Sequence, residues 1–188
     1  MPSSDPTTIP KILDIVAKIN PSTILDVGPG NGRYGFLFRE TLDWNYGRLR
    51  KEEWKLNLSC IEIDRTYITP IHHYIYDSIL IGDWLYEPTS NQYDLIFMGD
   101  VLEHWPDPLW KQALARANEQ SAFVLVVSPN WKGSLAQKSW HGHHQEKHWA
   151  VLSPQSVGGR CLYANSKLFI CAFDNVGSDL LEDKDVCF

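Results

Sequence analysis

The sequence predicts an α/β fold with a doubly wound, mostly parallel sheet. Three observations carry this. Short apolar or β-branched runs alternate with segments of helical periodicity. A glycine-rich loop, Gly28-Pro29-Gly30-Asn31-Gly32, follows the first such run without a gap. Near the end, two strand-like runs stand close enough together for a hairpin, which adds an antiparallel strand. The chain has 188 residues, 44% of them hydrophobic, which suits one domain with a single core.

The elements follow in order. The first eight residues are small and polar and read as loose. Ile9, Ile12, Leu13, Val16 and Ile19 recur at helical spacing, with Thr8 as cap, Pro10 in the first turn and Pro21-Ser22 as the stop. Thr23 to Val27 reads as a buried strand, and Arg33 to Leu42 as a helix with Phe36, Leu37 and Leu42 apolar. Residues 43–55 hold two tryptophans and mixed charges and read as an insertion. Leu56 to Ile63 is the second strand. Thr66 to Tyr76 turns helical after Pro70, and Ser78 to Ile81 is the third strand. Tyr93 to Met98 is the fourth. Asp107-Pro108 reads as a cap followed by a first-turn proline, ahead of an apolar face of Leu109, Ala113, Leu114 and Ala117. Ala122 to Val127 is the fifth strand. Residues 130–152 lack a period and read as an acceptor-side loop or lid. Ser153-Pro154 opens a short helix. Cys161 to Ala164 and Lys167 to Phe173 form the hairpin across Asn165-Ser166, and residues 175–188 are an acidic tail. The whole of 1–188 is thus read as one domain.

Composition narrows the partners. A formal net charge of -6 disfavours approach to a phosphate backbone, so no nucleic-acid partner is expected. No run is apolar enough for a signal peptide or a membrane span, so no membrane partner is expected. The four cysteines form no CxxC pair. Reduced thiols in the cytoplasm are the simpler reading, with Cys60 and Cys171 as small core residues. The oligomeric state stays open between monomer and homodimer.

The motifs fall at strand ends, where open α/β sheets bind ligands. Gly30, Gly32 and Gly35 fit GxGxxG, a weak dinucleotide signal. Asp26 at the mouth of the loop argues against it: a carboxylate repels a pyrophosphate and attracts an ammonium or a sulfonium. S-adenosylmethionine carries both cations and no phosphate. At the end of the second strand Glu62, or Asp64 in a shifted register, can accept both ribose hydroxyl protons. A lone acid there is as readily a solvated charge. After the third strand, Asp83 of Gly82-Asp83-Trp84 can accept from an adenine amino group. Trp84 either lies against the ring or is core. Gly99 lets a methionine moiety approach the backbone beyond the fourth strand.

Together, Asp26-x-Gly28-x-Gly30-x-Gly32, Glu62, Gly82-Asp83 and Asp100-Val101-Leu102-Glu103-His104 resemble the class I S-adenosylmethionine-dependent methyltransferases. The likeness covers about residues 20 to 130. Lys147-His148 leading to Ser153-Pro154 is similar to a later family stretch. The resemblance implies a Rossmann-like, seven-stranded sheet whose last strand is antiparallel. It implies S-adenosyl-L-methionine as cofactor, with Asp26, Gly28, Gly30, Gly32, Gly99 and Asp100 at the methionine end. Glu62 and Ile63 would take the ribose side, and Gly82, Asp83 and Trp84 the adenine. No Asn-Pro-Pro-Tyr-type motif and no Pro-Cys nucleophile is present, so base methylation of DNA is not supported.

The expected activity is methyl transfer to a small-molecule oxygen or nitrogen acceptor by direct displacement. The rival readings are a non-catalytic cofactor-binding or partner subunit and, on the glycines alone, a nicotinamide-dependent oxidoreductase. Four of the seven histidines lie between Trp140 and His148. His148 is the first candidate for a base or acceptor-orienting group, then His104, with Asp100 beside them. Each is otherwise a surface or lid residue. His144 and His148 are four apart, but HExxH spacing is absent and no metal site is assigned. A divalent ion between Asp100 and Asn130, as in catechol-type methyltransferases, is a minor alternative. Trp131, Trp140 and Trp149 could form an aromatic wall for the acceptor, or simply pack under the loop.

Overall fold

Thr23–Val27 (β1) and Tyr93–Gly99 (β4) lie at the centre of the sheet, and their near-continuous apolar runs are buried on both faces. A computed structural model describes residues 5–89, 92–130 and 147–181. Around the two central strands stand Asn57–Glu62 (β2), Ser78–Ile81 (β3), Ser121–Pro129 (β5), Arg160–Ala164 (β6) and Leu168–Asp174 (β7). The order is β3-β2-β1-β4-β5-β7-β6. β1 pairs in parallel with β2 and β4, β2 with β3, and β4 with β5; β7 runs antiparallel to β5 and β6. The expected seven strands and antiparallel last strand are present. The order reverses between β1 and β4, which opens a crevice beyond their carboxyl ends.

The core is two layers rather than one, because both faces of the sheet are covered. Along β4, Leu95 and Phe97 point to the side of Ile9–Ile19 (α1) and Arg33–Leu42 (α2). Ile96 and Met98 point to the side of Leu109–Gln120 (α4). Asp94 ties the start of β4 to β1: its Oδ2 accepts from Ser22 N–H at 2.8 Å, Ser22 hydroxyl at 2.6 Å and Thr23 N–H at 3.0 Å.

Several local readings change. Residues 5–8 are not loose: Asp5 caps a 3-10 turn, Pro6–Thr8, by accepting from Thr7 N–H at 2.9 Å, and Thr8 is buried. Thr8 makes no side-chain cap to α1, and α1 ends one residue before the expected stop, at left-handed Asn20. The 66–76 segment splits into a 3-10 turn, Arg65–Tyr67, and a short helix, Pro70–Ile75 (α3). Asp107 caps nothing; it pairs with Lys111 at 2.9 Å, and Pro108 holds the cap position of α4. The hairpin turn is displaced by one residue. Asn165 N–H donates to Leu168 O, and Asn165 Oδ1 accepts from Lys167 and Leu168 N–H, so Ser166-Lys167 form the tip.

The 43–55 insertion contains two 3-10 turns, Trp44–Tyr46 and Lys51–Glu53. Arg39 at its root is wholly buried. Its guanidinium donates to Ile75 O, Asp43 Oδ2, Leu56 O and Asp77 Oδ2, which ties α2 to the starts of β2 and β3. Its flat face lies 4.4 Å from the Trp54 ring centre.

Candidate active site

A cavity of about 350 Å³ opens beyond the carboxyl ends of β1 to β4. That volume lies in the range of small-molecule sites. From β1 it takes Val27, Gly28 and Gly30; from β2, Ile61, Glu62 and Ile63; after β3, Gly82, Asp83 and Trp84; after β4, Asp100, Val101 and His104. Tyr67, Trp105 and Trp149 complete the lining. Three carboxylates face it, and no lysine or arginine is among the described lining residues.

The glycine loop is fixed by its backbone. Gly28 has φ +69 and donates to Ile61 O at 2.9 Å. A Cβ there would stand 2.9 Å from Val101 Cγ2, so glycine is required twice over, by conformation and by space. Gly32 also has positive φ and caps α2, but it faces His72 rather than the cavity.

Glu62 is only 4% exposed, and its Oε1 accepts from Asp64 N–H at 3.0 Å. Burial raises its pKa, against the pull of backbone N–H groups of Asp64 and Gly30. Asp83 Oδ1 accepts from Leu85 N–H at 3.0 Å. Trp84 is a core residue that also reaches the cavity wall. Its ring is buried, its indole N–H donates to Ala113 O at 3.0 Å and Arg116 stacks on it at 4.3 Å, yet it borders the cavity.

Asp26 departs from expectation. It lies behind the glycine loop on the opposite face of β1 from Val27, where its Oδ2 accepts from Tyr76 hydroxyl at 2.6 Å. Its carboxyl is pushed up to about 7, mainly by burial and further by the Glu62 charge, against the Tyr76 hydrogen bond. It borders a recess of about 60 Å³ that shares Gly28, Gly30 and Asp100 with the cavity and adds Asn31, Arg33 and Gly99. Gly99 therefore faces the recess, and Asp100, held at φ +52, borders both hollows.

On the other side, the chain at 147–150 docks on the segment after β4. Trp149 and Ala150 N–H donate to Glu103 O at 2.8 and 3.1 Å. His104 Nδ1 faces Lys147 O at 3.2 Å, and the His104 and His148 rings meet edge-on at 4.9 Å. Only His104 of the two lines the cavity; His148 stands behind it. Burial, then His104, push His148 down to about 4, so it is neutral at pH 7. Glu103 is buried and accepts from Ser128 hydroxyl at 3.1 Å through Oε2. Burial and the neighbouring Asp100 raise its pKa well above the usual range. Asn130 is engaged by the hairpin, donating from N to Lys167 O and from Nδ2 to Asn165 O. Trp131, Trp140, His141, His143 and His144 lie outside the described residues. Sequence reasoning missed Tyr67, Val101 and Trp105 as lining, and gave Glu103 no role although it stands inside the quoted motif.

No family model matches the chain, and no curated protein matches it. Solved structures do. An O-methyltransferase family protein from Burkholderia thailandensis aligns at 12% identity and TM-score 0.56, over 87% of this chain and 55% of that one. An O-methyltransferase of neocarzinostatin biosynthesis, in complex with S-adenosyl-L-homocysteine and 1,4-dihydroxy-2-naphthoic acid, aligns at 13% and 0.58, over 88% and 53%. The N-methyltransferase NodS from Bradyrhizobium japonicum WM9 aligns at 15% and 0.53, over 90% and 97%. The chain thus spans about half the length of the first two and nearly all of the third. It has the fold these methyltransferases share, in agreement with the fold that the motif resemblance implies.

Proposed function

We propose that the chain is an S-adenosyl-L-methionine-dependent methyltransferase acting on a small-molecule oxygen or nitrogen acceptor. One observation carries the reading: Glu62, Asp83 and Asp100 border a single cavity whose described lining holds no lysine or arginine. Such a site favours a cationic, phosphate-free nucleoside over a dinucleotide. Glu62 accepts the ribose hydroxyls and Asp83 the adenine amino group, with Ile63 and Trp84 as apolar walls. Gly28, Gly30 and Asp100 take the methionine end. Asp26 supports the loop from behind instead of touching the cofactor.

The methyl carbon passes from sulfur to the acceptor. The sulfur–carbon electron pair stays on sulfur as the neutral thioether, and the acceptor's proton leaves. Alignment of the three atoms supplies most of what the protein contributes. His104, on the cavity wall, is the group within reach of that proton; His148 supports it from behind. The fold's relatives crystallised with S-adenosyl-L-homocysteine or named as O- and N-methyltransferases support the chemistry. Among the described residues no helix is long and apolar enough to cross a membrane. The buried free thiols of Cys60 and Cys171 support a cytoplasmic setting.

Calorimetric titration with S-adenosylmethionine, S-adenosylhomocysteine and NADH tests the reading. The first two are expected to bind and NADH not. Silence from both sulfur nucleosides would remove it.

A further inference from the structure

Glu103, His104 and His148 form a cluster that methyl transfer alone leaves unexplained. Each offers one ligand atom, and these atoms lie within 4.8 Å of one another. Glu103 is 2% exposed. Its Oε2 is held by Ser128, but its buried Oε1 has no hydrogen-bond partner among the described residues. A buried carboxylate oxygen left so is costly and calls for an occupant. His148 Nε2 stands 4.0 Å from it, too far for a hydrogen bond. A tetrahedral ion with bonds of about 2.1 Å holds its ligand atoms about 3.4 Å apart, so this pair closes by about half an ångström around it.

The surroundings orient the donors. His104 Nδ1 faces Lys147 O, which as an acceptor fixes the proton on Nδ1 and the lone pair on Nε2. The Trp149 and Ala150 bonds to Glu103 O hold the two segments in register by backbone.

We propose that Glu103, His104 and His148 bind one divalent first-row transition-metal ion at the wall of the cavity. Two imidazoles and one carboxylate suit zinc, iron, cobalt or manganese better than magnesium or calcium. Three protein ligands leave open positions, and His104 places them toward the cavity. An open position there takes an oxygen of the acceptor and lowers the pKa of its hydroxyl, a role that replaces proton uptake by His104, whose lone pair the ion occupies. That last role, which selects hydroxyl-bearing acceptors, rests on the methyl-transfer reading; the ion site itself does not.

The test uses chelator-treated, tag-free chain without cofactor. Zn²⁺ is titrated by calorimetry, and Co²⁺ by its visible absorption. We expect one ion per chain, with binding at least about 100-fold weaker in Glu103→Gln and His148→Ala, as loss of a ligand implies. Zn²⁺ should raise the melting temperature of the wild type and not of Glu103→Gln, which keeps an oxygen for Ser128. A triple His141→Ala, His143→Ala, His144→Ala variant should bind as the wild type does. Absence of one-to-one binding, equal binding by Glu103→Gln, or loss in the triple variant would overturn the site. S-adenosylhomocysteine titrated into the same sample reports separately on the methyl-transfer reading.

Discussion

The two sides of the cavity are built by different means. On the glycine-loop side, each functional group lies at or just after a strand end: Gly28 and Gly30 after β1, Glu62 at the end of β2, Asp83 after β3. Parallel pairing of β1 with β2, and of β2 with β3, brings those ends into line. On the other side, Glu103 and His104 meet His148 only because a distant segment returns and bonds its backbone to Glu103 O. Chemistry written at strand ends needs only the sheet order to assemble. Chemistry closed by a returning segment needs a contact that no local pattern encodes.

If the glycine-loop side is the rigid one, its buried cation should matter most to the fold. Arg39 joins α2 to β2 and β3 through four hydrogen bonds, including one to the buried Asp43. Truncation removes one of the two guanidinium groups on the buried Asp43, which keeps Arg48, and takes the donor from Ile75 O, Leu56 O and Asp77 Oδ2. Arg39→Ala is expected to cost about 3–5 kcal/mol in denaturant unfolding, the range for breaking a buried ion pair. A loss below about 1 kcal/mol would mean that solvent enters the cluster and that this side is not the rigid frame.

The division of labour is tested next by cofactor affinity. Glu62→Ala removes a nearly buried carboxylate from the cavity and should weaken S-adenosylhomocysteine binding about 10- to 100-fold, or about 1.5–3 kcal/mol. His148→Ala, behind His104, should change it by less than about threefold. Calorimetry on both variants decides, and the reverse order would erase the partition into a cofactor side and an acceptor side.

The same contrast explains what the sequence revealed. The alternation of apolar runs and helical periods predicts the sheet, and the meeting of Glu62 and Asp83 at one cavity was legible because strand ends converge by topology. Asp26 was read as facing the cofactor because adjacency to the loop outweighed alternation along the strand. Val27 faces the cavity, so its neighbour must face the other way, toward Tyr76. Thr8 holds the cap position of α1 without a side-chain bond, and Asp107 was placed one residue early, because capping depends on where the chain turns, which the preceding residues decide. His148 was ranked above His104 because sequence shows which histidines are present but not which stands in front. Glu103 went unassigned because its burial is set by the returning 147–150 segment and by Ser128.

The smallest effect separates Asp26 from the cavity by its titration. Burial, with Glu62 adding to it, raises its carboxyl to about 7 against the Tyr76 bond. Between about pH 4 and pH 7 the folded chain therefore holds a proton that the unfolded chain, with its carboxyl near 3.9, has released. Stability from this group is complete below the unfolded value and is lost as pH rises through about 7. Glu62 and Glu103 shift in the same direction, so the wild type should soften as pH rises. Asp26→Asn keeps an oxygen for the Tyr76 hydroxyl and cannot titrate. Its melting temperature should approach that of the wild type at pH 5 and exceed it at pH 8 by about a few °C. Parallel melting curves across that range would mean an ordinary, solvated carboxylate, and would return Asp26 to the ligand side of the loop.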